Sequence, residues 1–120
     1  MAGKMRPERV QEALRQEVSR IIHDEIRDPR LGFITITNVE LTKDLRYAKV
    51  HFSVLESDKK RLTLKGLNSS KGFIKRLIGE RLRLRFMPEI SFRLDESMEK
   101  TQHIYDVFRK IEEEKKDKEK

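Results

Sequence analysis

The stretch from residue 59 to residue 85 combines a dense positive charge with a regular apolar pattern, and this limits the folds that the chain can adopt. It holds ten lysines and arginines against one acid, Glu80, so it carries +9, whereas the whole chain carries +7. Ten large apolar residues from Leu62 to Phe86 are threaded between these charges. One face can therefore be buried while the other stays in water. We expect a folded, amphipathic structure here, not a disordered basic tail.

The charge of this basic segment points to a polyanionic partner. A compact segment with so much charge of one sign repels itself, and a phosphate backbone offsets this repulsion through counterion release. A helix face that only confers solubility usually mixes both signs, as the stretch from Glu112 to Lys120 does. Nucleic acid is therefore the first hypothesis for the partner.

Length and composition bound the remaining possibilities. A chain of 120 residues gives one domain with a single core. The absence of Cys excludes disulfides, Cys-based zinc sites and thiol catalysis, and it fits a reducing compartment. No apolar run approaches the roughly 18 residues needed to cross a membrane, and the N-terminus lacks the apolar region of a signal peptide. We expect a cytoplasmic protein.

The first half of the chain predicts a helix followed by a hairpin. Apolar residues recur at helical spacing up to Ile26, with Pro7 in the first turn and Asp28-Pro29 at the end. Residues 33 to 41 and 47 to 55 are rich in β-branched and aromatic residues and predict two strands joined by a short loop. In the second strand one set of alternate residues is apolar and the other polar, which predicts one buried and one exposed face.

The second half predicts a broken helix, a third strand and a last helix. Helical spacing over residues 59 to 83 is interrupted at Asn68–Gly72, where no large apolar residue appears. Ile90, Phe92 and Leu94 alternate with polar residues as in a strand, and residues 98 to 111 return to helical spacing, with Asp95 or Ser97 as the cap. No apolar residue follows Ile111, so we expect a domain over residues 1–112 and a charged, disordered tail over 113–120.

This order of elements predicts an α+β fold: helix, strand, strand, kinked helix pair, strand, helix. A hairpin followed by a third strand after a helical crossover gives a three-stranded mixed sheet with helices on one face. Among nucleic-acid modules, this arrangement resembles a type II KH domain. An ordinary KH domain clamps nucleotides with a Gly-x-x-Gly loop between two helices. At that junction this chain has Ser70-Lys71-Gly72, which is too short for the clamp, and we expect a kink in which Gly72 takes a positive φ or allows a close backbone approach.

Six stretches between residues 4 and 111 match one protein family in their order and spacing: Glu25–Leu31, Ile34–Leu41, Asp44–Val50, Ser70–Lys75, Leu82–Ile90 and Phe92–Ser97. Through them the chain resembles the bacterial ribosome-binding factor A family. The family carries an Ala-x-Gly kink in place of the KH loop, and Ser70 stands here in the position of the Ala. The resemblance implies a non-enzymatic, monomeric assembly factor without a cofactor. It would bind the immature 30S small ribosomal subunit, assist 16S rRNA processing near the 5′ end of that RNA, support growth in the cold and leave the mature subunit.

The basic residues that we expect to contact RNA fall into three groups. One group lies on the kinked helix pair, one at the start of the first helix, and one alternates with apolar residues so that its charges turn to one side. As phosphate contacts they would confer affinity without reading sequence. The groups are, in that order, Lys65, Lys71, Lys75 and Arg76; Lys4, Arg6 and Arg9; and Arg81, Arg83 and Arg85.

Nothing in the sequence predicts catalysis, a metal site or a small-molecule substrate. His23, His51 and His103 lie far apart and outside any metal-binding spacing. The isolated glycines match no phosphate-binding loop, and the acidic clusters fit solvated helix faces. Three alternatives remain open: a generic KH-type RNA-binding module that acts away from the ribosome, a structural ribosomal protein, and a peripheral membrane protein. The last is weakened by the absence of Trp.

Overall fold

The protein has an α+β fold with the predicted order of elements. The structure is a computed structural model that describes residues 6 to 118, apart from the side chains of residues 98–101 and 116–118. A short 3-10 turn, Ser57–Lys59, precedes the second helix. The elements are α1 (Pro7–Glu25), β1 (Ile34–Leu41), β2 (Tyr47–Val54), α2 (Lys60–Ser69), α3 (Lys71–Arg81), β3 (Glu89–Leu94) and α4 (Ser97–Lys118).

Helix α1 forms because one stripe of apolar residues faces the core along its length. Pro7 occupies the first turn, where its missing N–H is not needed. After the helix the carboxylate of Asp28 accepts the backbone N–H of Arg30 at 3.0 Å, and this turn leads the chain into β1. The buried stripe comprises Val10, Leu14, Val18, Ile21 and Ile22.

The three strands form one mixed sheet in the order β1-β2-β3. Strands β1 and β2 pair antiparallel, with a bulge between Ile36 and Asn38, and β3 pairs parallel to β2. In the β1–β2 loop Leu45 has φ 63°, the one positive φ of a non-glycine residue in the described chain. The mixed sheet predicted from the helical crossover is confirmed.

The core lies between one face of this sheet and helices α1, α2 and α3. Along β2, Ala48, Val50, Phe52 and Val54 are buried, and the intervening residues point to the opposite face, which no packed helix covers in the described chain. Helix α1 is tied to the sheet edge by the side chain of Gln11, which accepts the N–H of Leu41 at 2.9 Å. The predicted packing of helices on one face is confirmed for these three helices.

Helix α4 leaves the core instead of packing on it. From Gln102 to Lys115 every side chain is exposed except that of Asp106, which is half-buried. The apolar residues that predicted this helix, among them Ile104 and Phe108, are 54% and 61% exposed. The second face of the sheet is mostly polar along β2, so it offers α4 little apolar surface to cover.

The last helix extends over residues for which the sequence predicts a disordered tail. Residues 113 to 118 belong to α4. Glu and Lys are strong helix formers, so this stretch needs no core contact to take helical geometry. The division of the chain into a domain over residues 1–112 and a tail after it stays a prediction.

Candidate nucleic-acid interface

The basic segment folds into two helices that meet at Ser70, where the backbone has φ −90° and ψ 0°. The N–H of Ser70 donates to the carbonyl of Gly66 at 3.0 Å, and the carbonyl of Ser70 accepts the N–H of Ile74 at 2.9 Å. The Ser70 side chain makes no capping hydrogen bond, so no side chain caps the positive end of the α3 dipole. The predicted break between the helices is present.

Four basic side chains of α2 and α3 form what we call the helix-pair surface: Arg61, Lys65, Lys71 and Arg76. A shallow depression of about 520 Å³ runs along α2 beside Arg61 and Lys65. The guanidinium of Arg76 lies over the ring of Phe73, with Cζ 5.4 Å from the ring centroid. Within the described chain, no carboxylate forms an ion pair with any of the four. Their charge is therefore available to an external anion.

Two other basic residues of the segment are paired inside the molecule. Lys75 Nζ lies 2.9 Å from Glu89 Oε1. Arg81 lies 3.5 Å from a carboxylate oxygen of Glu17 and 3.3 Å from one of Glu25, both on α1. An external anion would have to compete with these carboxylates, so the charges of Lys75 and Arg81 are less available to a partner than those of the helix-pair surface.

A second basic surface lies where the start of α1, the β1–β2 loop and the loop from α3 to β3 meet. In the last of these loops Leu82 and Leu84 pack on the core, while Arg83 and Arg85 are exposed. The groove formed there has a volume of about 1290 Å³. We name it the arginine groove after its exposed basic and aromatic side chains, which are Arg6, Arg46, Arg83, Arg85, Tyr47 and Phe86.

The two surfaces adjoin at Glu89, the first residue of β3. Glu89 lines the arginine groove and pairs with Lys75 of α3. The hydrogen bond from Lys75 is the main cause that lowers the pKa of Glu89, and the charge of Lys71 adds to it. The backbone N–H of Glu89 also donates to the carbonyl of Arg46 at 2.8 Å. The helix-pair surface and the arginine groove thus meet at the ion pair of Lys75 and Glu89.

The structure separates the basic residues that the sequence grouped together. The expectation that Arg81, Arg83 and Arg85 share one side is wrong for Arg81, because it belongs to α3 and turns toward the second half of α1. Arg9 is exposed in the first turn of α1 outside both surfaces, and Lys4 lies outside the described residues. The predicted residues that lie on the two surfaces are Lys65, Lys71 and Arg76 at the helix break, and Arg6, Arg83 and Arg85 in the groove.

Sequence reasoning missed three residues of the arginine groove. The sequence places Arg46 and Tyr47 only in the hairpin, since nothing local shows that this loop meets the start of α1. Alternation with Arg85 predicts that Phe86 points inward, but its side chain is 74% exposed, and Met87 and Pro88 pack inward instead. The signal that remains in the sequence is an aromatic residue directly beside an arginine.

Neither of the two reasons that the sequence suggests for a glycine at position 72 is present in the structure. No glycine in the described chain has a positive φ, and a Cβ built on Gly72 would meet no atom within 4 Å. Both the positive φ and the close backbone approach are therefore wrong. The interruption between the two helices falls at Ser70, and Gly72 lies in the first turn of α3.

Other kinds of site find little support in the described residues. They contain no group of three or more His, Asp or Glu side chains that could hold a metal ion. His51, on the polar face of the sheet, has its Nε2 atom 3.2 Å from a carboxylate oxygen of Glu40. None of the described helices has the length and apolar character to span a bilayer.

Comparison with known proteins then decides the family. The family model described as Ribosome-binding factor A matches residues 6–108. The chain belongs to the ribosome-binding factor A family. Ribosome-binding factor A of Clostridium novyi is 48% identical over 110 residues, which are 90% of this chain and 91% of that protein. The protein of the same name from Acetivibrio thermocellus is 50% identical over 101 residues, which are 82% of each chain.

Solved structures share the fold of this ribosome-binding factor A chain. A Thermotoga maritima protein solved by NMR is 35% identical, has a TM-score of 0.65, and covers 78% of this chain and 90% of its own. The crystal structure of ribosome-binding factor A from Thermus thermophilus is 22% identical with a TM-score of 0.66, and covers 72% of this chain and 93% of its own. The KH-like α+β fold predicted from the order of elements is confirmed.

Proposed function

We propose that this chain is an assembly factor that binds the immature 30S small ribosomal subunit and assists 16S rRNA processing and maturation near the 5′ end of that RNA. It acts in the cytoplasm as a monomer, without catalysis and without a cofactor, and it supports subunit assembly in the cold. Membership in the ribosome-binding factor A family supports this function. A Thermus thermophilus ribosome binding factor A has also been fitted into a cryo-EM map of a complex with the 30S subunit.

The observation that carries the proposal is the presence of two adjoining basic surfaces, the helix-pair surface and the arginine groove. Their cations come from the residue before α1, from α2 and α3, and from two loops, and those that define the two surfaces form no ion pair with a carboxylate in the described chain. Such a surface fits a phosphate backbone, because each neutralised phosphate releases condensed counterions. Lys and Arg contacts to phosphate position a protein on RNA without sequence reading, which suits a factor that recognises a particle by shape.

Sucrose-gradient sedimentation of a cell extract tests the function. The chain should co-sediment with free small subunits and at low stoichiometry. A structural ribosomal protein would persist in complete ribosomes, and a generic KH-type RNA-binding module would stay at the top of the gradient. Either result would contradict the proposal.

A charge-removal variant tests the surface. Replacing Lys65, Lys71 and Arg76 together with Ala should weaken binding to small subunits and lower the slope of log K against log salt by about one unit per lost phosphate contact. The matched control removes the same charge from α4, as Arg109→Ala, Lys110→Ala and Lys115→Ala, and should bind nearly as the unaltered chain does. Equal binding by both triple variants, with unchanged circular dichroism, would remove the helix-pair surface from the interface.

A further inference from the structure

We infer that the arginine groove binds a short single-stranded stretch of RNA, with at least one base stacked on Phe86. The inference rests on the proposed RNA-binding function and specifies what form of RNA this part of the surface takes. The groove volume of about 1290 Å³ exceeds the roughly 300–1,000 Å³ of pockets that hold one small molecule. It has room for an extended chain of nucleotides.

The charges of the groove are arranged for a backbone that passes through it. Arg6, Arg46, Arg83 and Arg85 are all exposed, and none forms an ion pair with a carboxylate in the part of the chain that the structure describes. They come from three separate segments and line one groove, so they can contact successive phosphates.

The two carboxylates of the groove do not cancel this charge by direct pairing. Asp44 accepts the hydroxyl of Thr42 at 2.6 Å and the backbone N–H of Arg46 at 3.1 Å. Glu89 is held by Lys75, which lies outside the groove lining. The charge of Arg46 also acts on Asp44, but neither acid forms an ion pair with a guanidinium group of the groove in the described chain, so these groups can bind phosphate.

The exposed aromatic rings favour unstacked bases over a duplex. Phe86 is 74% exposed and Tyr47 57% exposed, although burial of such rings would normally stabilise the fold. The guanidinium of Arg85 lies 5.5 Å from the centroid of the Phe86 ring. An aromatic ring with an arginine beside it is a stacking platform for a splayed base. A-form duplex RNA keeps its base faces stacked inside the helix, so it cannot use these rings.

A fluorescence experiment tests the inference, because the chain contains no Trp. Phe86→Trp places a single reporter in the groove, where the replaced ring is 74% exposed. Phe73→Trp places the control reporter on the helix-pair surface, where the replaced ring is only 37% exposed and lies under Arg76. Titration with a short oligouridylate should quench the fluorescence of the Phe86→Trp variant strongly and that of the control weakly. A duplex RNA of equal phosphate number, or poly-glutamate, should bind without comparable quenching of the Phe86→Trp variant.

A second variant gives the inference an independent measurement. Phe86→Ala should weaken oligouridylate binding roughly tenfold in fluorescence polarisation, because it removes the ring on which a base stacks. Phe86→Tyr should restore the affinity, because it keeps an aromatic ring at this position. Because the ring is exposed, the melting temperature should not change. Equal quenching by duplex RNA or poly-glutamate, absence of oligouridylate binding, or unchanged affinity of Phe86→Ala would each overturn the inference. In those cases co-sedimentation of the unaltered chain with small subunits would show that the proposed function stands without it.

Discussion

Two glycines of this chain have opposite surroundings, and they give a test at the scale of single residues. A Cβ on Gly32 would clash with Glu56 Oε2 and lie 2.5 Å from Cγ1 of the buried Val54, whereas a Cβ on Gly72 would meet nothing within 4 Å. Gly32→Ala should therefore lower the free energy of unfolding by about 1–3 kcal/mol. Gly72→Ala should leave it unchanged or raise it slightly, since Ala is the better helix former.

Urea unfolding of both variants measures this difference. A loss of stability in Gly72→Ala would mean that the first turn of α3 is strained in a way that its surroundings do not show. The bulkier Gly72→Val extends the test to binding. If it lost small-subunit binding while its melting temperature stayed the same, RNA would approach the backbone at Gly72, as in a nucleotide clamp.

Asp95 gives a pH-dependent prediction at the same scale. Hydrogen bonds from the side chain and the backbone N–H of Ser97, followed by one from Thr37, lower the pKa of Asp95 to about 2. The ionised form is therefore favoured in the folded state. Its stabilisation is present above about pH 4, the ordinary range of an aspartate, and is lost as the pH falls toward 2. Because water reaches and screens the group, we expect a contribution of only about 0.5 kcal/mol.

Comparison of the unaltered chain with Asp95→Asn isolates this contribution. The stability difference between them should be present near neutral pH and shrink as the pH is lowered below about 4. Asp58→Asn, at an exposed position in the turn before α2, removes the same charge and serves as the control. A difference that stays constant with pH would show that the hydrogen bonds do not depend on the charge of Asp95.

At the scale of elements, we expect the last residues of α4 to contribute little to the stability of the fold. Truncation after Glu112 removes residues with no apolar side chain, and the described residues on either side of that point are exposed. The melting temperature should change by less than about 2 °C. Leu14→Ala, in the core stripe of α1, provides the contrast and should cost about 2–5 kcal/mol. If the melting temperature fell by many degrees on truncation, the end of α4 would unfold cooperatively with the rest of the domain, and the prediction would be wrong.

The elements themselves were predictable because their signals are local. The apolar stripe of α1 can be recognised from residue spacing over a few helical turns, and the alternation of β2 from a few consecutive residues. In both elements the apolar positions are the ones that the structure buries. The break at Ser70 was visible as a gap in apolar spacing. The placement of α4 was not visible, because it depends on what the far side of the sheet presents. Lys49, His51 and Ser53 make that side largely polar, so an amphipathic helix gains little by covering it.

At the scale of the whole molecule, the helix-pair surface was predictable and the arginine groove only in part. Basic residues within one helix pair are neighbours in sequence, so their clustering could be read directly. Arg6, Arg46 and Arg83 are brought together by the convergence of three loops and termini at one end of the sheet. That convergence follows from the path of the chain over the core, and no local pattern encodes it.

The projection of α4 also determines how the molecule moves through solvent. The radius of gyration is 18.9 Å and the extents are 70 × 33 × 19 Å, whereas a compact chain of this length has a radius of gyration of about 14 Å. Frictional drag on so elongated a body exceeds that of a sphere of equal mass. The protein will elute early from a sizing column and give the apparent mass of a larger species. Early elution therefore reflects shape, and a mass measured by light scattering separates a long monomer from a compact dimer.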